Sequence, residues 1–168
     1  MPMTTIRWTN NAVKIIDQTK LPSRLEYVYC RNVETLWKAI RNLSVRGAPA
    51  LGIAAGFGVL LGANRFKGKD TQGLIKHIYK VCQYLGTSRP TAVNLFHALN
   101  HMKRIAISHP NVSVNQLKKI IKKEAFKIYR DDQRVCRQMG EHGARLIRSG
   151  QRLLTVCNAG ALDRKSVV

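Results

Sequence analysis

The sequence predicts a mainly α fold with a small β-rich N-terminus and one strand of α/β type near its C-terminal end. Three observations carry this. Short β-prone runs are confined to the first thirty residues. From Val33 to about Ser149 apolar residues recur at helical spacing. An apolar run, Leu153-Leu154-Thr155-Val156, then leads into the small-residue turn Cys157-Asn158-Ala159-Gly160-Ala161-Leu162.

The elements follow in order. Ile6-Arg7-Trp8, Val13-Lys14-Ile15-Ile16 and Tyr27-Val28-Tyr29 read as strands, with turns at Asn10-Asn11 and Leu21-Pro22-Ser23. Val33 to Leu43 carries apolar residues at 33, 36, 37, 40 and 43, a helical pattern. A glycine- and alanine-rich helix begins near Pro49. A third helix covers roughly Thr71 to Leu85. A fourth runs from Pro90 to about His109, before Pro110. Ser113 caps a long helix reaching about Ser149, with an apolar stripe at 114, 117, 121, 125, 128, 135, 139 and 146. Gly150 ends it. The organisation expected is an N-terminal domain over 1–150 and the start of a second over 151–168.

Composition narrows the class. The 168 residues are 45% hydrophobic, enough for one domain with a core. The 29 basic against 9 acidic residues give +20, which attracts anions. Lys118, Lys119, Lys122, Lys123 and Lys127 fall mainly on the wet side of the long helix. No aromatic stacking residues accompany them, so nucleic-acid binding is disfavoured. Gly47 to Asn64 is uncharged but lies at the short limit for a membrane span. Its Gly52-x-x-x-Gly56 and Gly58-x-x-x-Gly62 spacings suit a buried helix with close neighbours. Cys30, Cys82, Cys136 and Cys157 form no CxxC pair. With no secretory signal evident, a cytoplasmic protein with reduced thiols is expected.

Three places suit an anion. In Val45-Arg46-Gly47-Ala48-Pro49, proline fits a first helical turn, glycine admits close backbone approach, the helix start presents free N–H groups, and Arg46 adds a bidentate donor. Thr87-Ser88-Arg89-Pro90-Thr91 repeats the design with Arg89. Two such signatures favour a phosphorylated small molecule. The third place is the end of the last strand, where ligands bind in open α/β sheets. Cys157 there reads as acid, base or nucleophile, or as a buried small hydrophobe. His97 and His101 stand at i, i+4 without a third ligand in the sequence pattern, so no metal is expected. Asp131-Asp132 reads as a source of local ion pairs.

Taken together, Ile16-Asp17-Gln18-Thr19-Lys20-Leu21-Pro22, VRGAPALGIAAGFG at 45–58, TSRPTAVNLFHAL at 87–99, GEHGARLI at 140–147 and CNAGAL at 157–162 resemble the methylthioribose-1-phosphate isomerase family. That wider family includes ribose-1,5-bisphosphate isomerases and regulatory subunits of translation initiation factor 2B. The resemblance implies a helical N-terminal domain followed by a Rossmann-like domain, in a homodimer. It implies that Arg46, Gly47 and Ala48 contact a sugar phosphate, that Arg89 is a second contact, and that Cys157 is the catalytic thiol. It implies an aldose–ketose isomerase of methionine salvage with no cofactor and no metal. Val156 stands where the family usually has His. The family's catalytic aspartate belongs to a C-terminal domain with no counterpart in this sequence, and Asp163 does not replace it. A truncated chain with negligible activity alone is therefore expected. The alternative is a non-catalytic sugar-phosphate-binding or initiation-factor-like regulatory module.

Overall fold

A computed structural model describes residues 4–154. Three strands, β1 (Ile6–Thr9), β2 (Ala12–Ile16) and β3 (Tyr27–Cys30), form an antiparallel sheet in the order β1-β2-β3. Asn10 and Asn11 both adopt left-handed backbone, φ 47° and 56°. This is the geometry a two-residue hairpin needs to match strand twist, and asparagine tolerates it. The turn sets Trp8 opposite Val13 and Ile6 opposite Ile15. Val13 in turn faces Cys30. These residues put one sheet face on the core, with Val13 and Cys30 fully buried. On the other face Lys14 lies 3.7 Å from the centre of the Tyr27 ring.

Five helices follow: α1 (Val33–Arg41), α2 (Ala48–Arg65), α3 (Thr71–Gly86), α4 (Val93–Ile107) and α5 (Val114–Ala144). Three have side-chain N-caps that explain their starts. Asn32 Oδ1 accepts from Thr35 N at 2.7 Å, and Asp70 Oδ1 from Gly73 N at 2.6 Å. Ser113 and Gln116 form a capping box.

The central element is α2, buried from Leu51 to Ala63 and contacting all four other helices and the sheet. A helix surrounded on all sides needs small residues where neighbours approach. A Cβ on Gly62 would lie 2.6 Å from Val81 Cγ2, and one on Gly58 would lie 2.7 Å from Leu85 Cδ1. The glycine spacing thus does what its pattern predicts. No helix among the described residues is long and apolar enough to cross a membrane.

Two boundaries differ from expectation. The fourth helix begins at Val93 rather than Pro90, because residues 87–92 form consecutive turns closed by Ala92 N→Arg89 O at 3.0 Å. The long helix ends at Ala144 rather than Ser149, with Arg145 as its cap and a further turn closed by Leu146 N→Gly143 O at 3.0 Å. Its stripe also divides. Leu117, Ile121 and Ala125 are buried, whereas Val135 and Met139 are exposed. Residues 151–154 form no strand, and Leu153 and Leu154 are exposed. The expected strand from Thr155 onward lies outside the described residues.

Candidate phosphate site

The loop carrying Arg46 is fixed from both sides. At the end of α1, Leu43 takes left-handed backbone, φ 64°, where glycine is usual. The chain then folds back so that Val45 N donates to Ala39 O at 3.2 Å and Val45 is buried. Ser44 is also buried, and its carbonyl accepts from Gln18 N at 3.2 Å. The Ser44 hydroxyl reaches Asp17. Burial pushes that carboxyl up, but hydrogen bonds from Thr19 and Ser44, with Lys20 nearby, hold it below its ordinary value.

Gly47 caps α2 with φ 89° and supplies no side-chain acceptor for the first-turn amides. A Cβ there would meet nothing within 4 Å. The glycine is therefore required by backbone conformation, not by space. Pro49 has no N–H, and Leu51 is the residue whose amide first finds a helical acceptor, Gly47 O at 3.1 Å. The helix start consequently presents free amides and the positive end of an 18-residue dipole.

The loop carrying Arg89 is pinned by α1 and α3. Trp37 Nε1 donates to Thr87 Oγ1 at 2.9 Å, and that hydroxyl donates to Tyr84 O at 2.7 Å. The Trp37 ring stacks on Tyr84, centroids 5.7 Å apart. Ser88 is fully buried, its hydroxyl donating to Leu85 O at 2.5 Å, and Arg41 Nη1 donates to Ser88 O at 3.4 Å. Arg89 itself is half-buried.

These loops converge. Arg46, Gly47, Ala48 and Arg89 line one cavity of about 480 Å³. Two arginines 43 positions apart in sequence thus face the same space at the start of α2. Neither has a carboxylate within 4.0 Å among the described residues. The sequence design at Arg89 is corrected in one respect: Pro90 does not open a helix, so the dipole at this site comes from α2, and Arg89 acts from a turn. Cys157, the third expected site residue, lies outside the described residues.

A neighbouring cavity of about 470 Å³ lies between α2, α4 and α5 and shares Asn94 with the first. His101 Nε2 and Glu124 Oε1 meet there at 2.7 Å. Sequence spacing linked His101 to His97 but could not reveal Glu124, which comes from another helix. Among the described residues no three ligand-type side chains could hold a metal ion. Asp131 pairs with Arg134 at 3.4 Å, as the charge pattern predicts. Both aspartates line the cavity, and burial pushes the Asp132 carboxyl up.

Comparison with known proteins agrees with this architecture. Residues 44–167 match the model of the Initiation factor 2 subunit family. The chain is 45% identical over 157 residues to a Bacillus cereus protein named 5-deoxyribose 1-phosphate isomerase, covering 94% of this chain and 45% of that one. It superposes on the crystal structure of 5-methylthioribose 1-phosphate isomerase from Pyrococcus horikoshii with TM-score 0.90 and 39% identity, covering 97% of this chain and 45% of that one. It also superposes on translation initiation factor eIF-2B, subunit delta, from A. fulgidus, with TM-score 0.85 and 42% identity, covering 96% and 46%. The chain spans less than half the length of each of these relatives.

Proposed function

We propose, from the premise that this chain belongs to the Initiation factor 2 subunit family, that it forms the phosphate-binding part of an aldose–ketose isomerase site for a 5-substituted ribose 1-phosphate. The observation that carries this reading is the convergence of Arg46 and Arg89, without carboxylate partners, on the start of α2. The reading names 5-methylthioribose 1-phosphate as substrate, converted to the ribulose 1-phosphate; the 5-deoxy compound is the competing choice, since the relatives carry both names.

The chemistry follows from the substrate. A phosphate on C1 blocks the spontaneous ring opening of a free sugar, so an acid must assist cleavage of the ring C1–O bond. Hydrogen then moves from C2 to C1, and the C2 hydroxyl becomes a carbonyl as it gives its proton back to the deprotonated acid. Two arginines and a helix start hold the dianion and fix C1 and C2 relative to the acid. We assign the acid role to Cys157.

The test is binding first, turnover second. Inorganic phosphate and 5-methylthioribose 1-phosphate should both raise the melting temperature. Arg46→Ala or Arg89→Ala should weaken binding by ~10–100-fold, since a charge-assisted hydrogen bond is worth about 1.5–3 kcal/mol. Equal affinity in both variants would refute the site. Negligible ketose formation is expected of this chain alone; inorganic phosphate binding as tightly as the sugar phosphate would favour the regulatory reading, which the likeness to the initiation-factor subunit supports.

A further inference from the structure

The far end of α2 holds a third cavity, of about 660 Å³, with a different character. An 18-residue helix is ~27 Å long, so this cavity is well separated from Arg46. Three cations line it from three elements: Arg31 just after β3, Arg65 in the last turn of α2, and Lys122 on α5. Among the described residues no carboxylate lines it. None of the three has an acidic partner within 4.0 Å among the described residues. All three are exposed.

The negative end of the α2 dipole does not account for this excess. Lys118 Nζ already donates to Phe66 O at 2.8 Å at the helix end. The dipole end is worth about half a charge, against three further cations.

The rest of the lining is suited to an organic ring. Trp8 is half-buried, and its ring is held by Phe57 and Phe126 at centroid distances of 5.7 and 6.5 Å. A rigid indole at a cavity wall offers stacking area at low entropic cost. Asn10 and Asn11 also line the cavity, on the hairpin turn whose two left-handed residues fix the backbone. Each carboxamide offers both donors and an acceptor. The cavity volume lies within the range of small-molecule sites.

We propose that this cavity binds a nucleoside diphosphate, with the phosphates on Arg31, Arg65 and Lys122, the base against Trp8, and the asparagines bonding base or ribose. The three charges of a diphosphate ester match the three free cations. This site is independent of the isomerase reading, because it shares no residue with the Arg46 cavity.

The test uses the full chain and ADP as probe, by calorimetry at about 0.15 M salt, where diffuse surface attraction is screened. ADP should bind at least tenfold tighter than pyrophosphate. Arg65→Ser and Lys122→Ser should each weaken ADP about tenfold. Trp8→Leu should bring ADP down to the affinity of pyrophosphate, while Trp8→Phe, which keeps a ring and tests for loss of fold, should retain most of the preference. Arg46→Ala and a Lys119→Ser/Lys123→Ser double variant should leave ADP affinity unchanged. Four results would each overturn the proposal. These are equal affinity for pyrophosphate and ADP, loss of ADP binding in Arg46→Ala, equal loss in the Lys119/Lys123 variant, and a short oligonucleotide displacing ADP at lower concentration than ADP itself.

Discussion

Replacing Gly62 by alanine should destabilise the fold, although the same change at Gly52 should not. Both residues are buried in α2. In a helix interior, alanine is favoured over glycine by about 1 kcal/mol. At Gly62 the new methyl carbon would stand 2.6 Å from Val81 Cγ2, 3.0 Å from Cγ1 and 3.3 Å from Cβ. Carbon atoms prefer about 3.5–4.0 Å, so Val81 must retreat by about 1 Å. Valine cannot do this by rotating, because its branched Cβ has one good rotamer in a helix. The backbone of α3 must move away from α2. Overpacking of this kind costs about 1–3 kcal/mol. Set against the helical gain of about 1 kcal/mol, Gly62→Ala should lose up to about 2 kcal/mol. At Gly52 the nearest atom to the added carbon is Asn94 O at 3.5 Å, an ordinary contact, so Gly52→Ala should gain about 0.5–1 kcal/mol. Urea unfolding followed by circular dichroism measures both, with an unchanged slope required for the comparison. Gly62→Ala more stable than the parent would refute the packing argument, as would Gly52→Ala falling below it.

Other expectations concern the loops and the thiols. Trp37→Phe removes the donor to Thr87 Oγ1 and should cost about 1 kcal/mol; phosphate affinity should fall as the Arg89 loop loosens, and unchanged affinity would show that α1 does not position Arg89. Burial pushes Cys30 and Cys82 up to about 12, so at pH 8 iodoacetamide should label exposed Cys136 well before either, as peptide mass spectrometry would show; equal labelling would contradict the burial. Asp17 is held below 3.8, so its ionised form stabilises the fold above the ordinary carboxylate range, and this contribution disappears as pH falls through the lowered value. The stability difference between the parent and Asp17→Asn should therefore be constant from pH 5 to 7 and shrink below about pH 4; a difference growing with acid would reverse the sign.

Much of the fold was legible because its cues are local. Asn10-Asn11 specified a turn, Ser113 specified a helix start, and the glycine spacing specified a helix that neighbours crowd. The boundaries that were missed have equally specific causes. Pro90 fits a first helical turn but equally fits a β-turn, and backbone hydrogen bonds within 87–92 chose the second. The apolar stripe of α5 continues past Ile128, but among the described residues Val135 and Met139 are left exposed. Periodicity records which residues share a helix face, not whether another element covers it.

The sequence by itself determined the residue chemistry of the candidate phosphate site: two arginines, a glycine and a helix start, each readable from its neighbours. Only the tertiary structure decided that Arg46 and Arg89 share one cavity, that Trp37 holds the second loop, and that His101 meets Glu124. The same holds for Arg31, Arg65 and Lys122 around Trp8. The physical reason is that capping, turn and propensity signals act over a few residues. Convergence of side chains from different helices depends on how those helices pack around α2, and no local pattern encodes that distance.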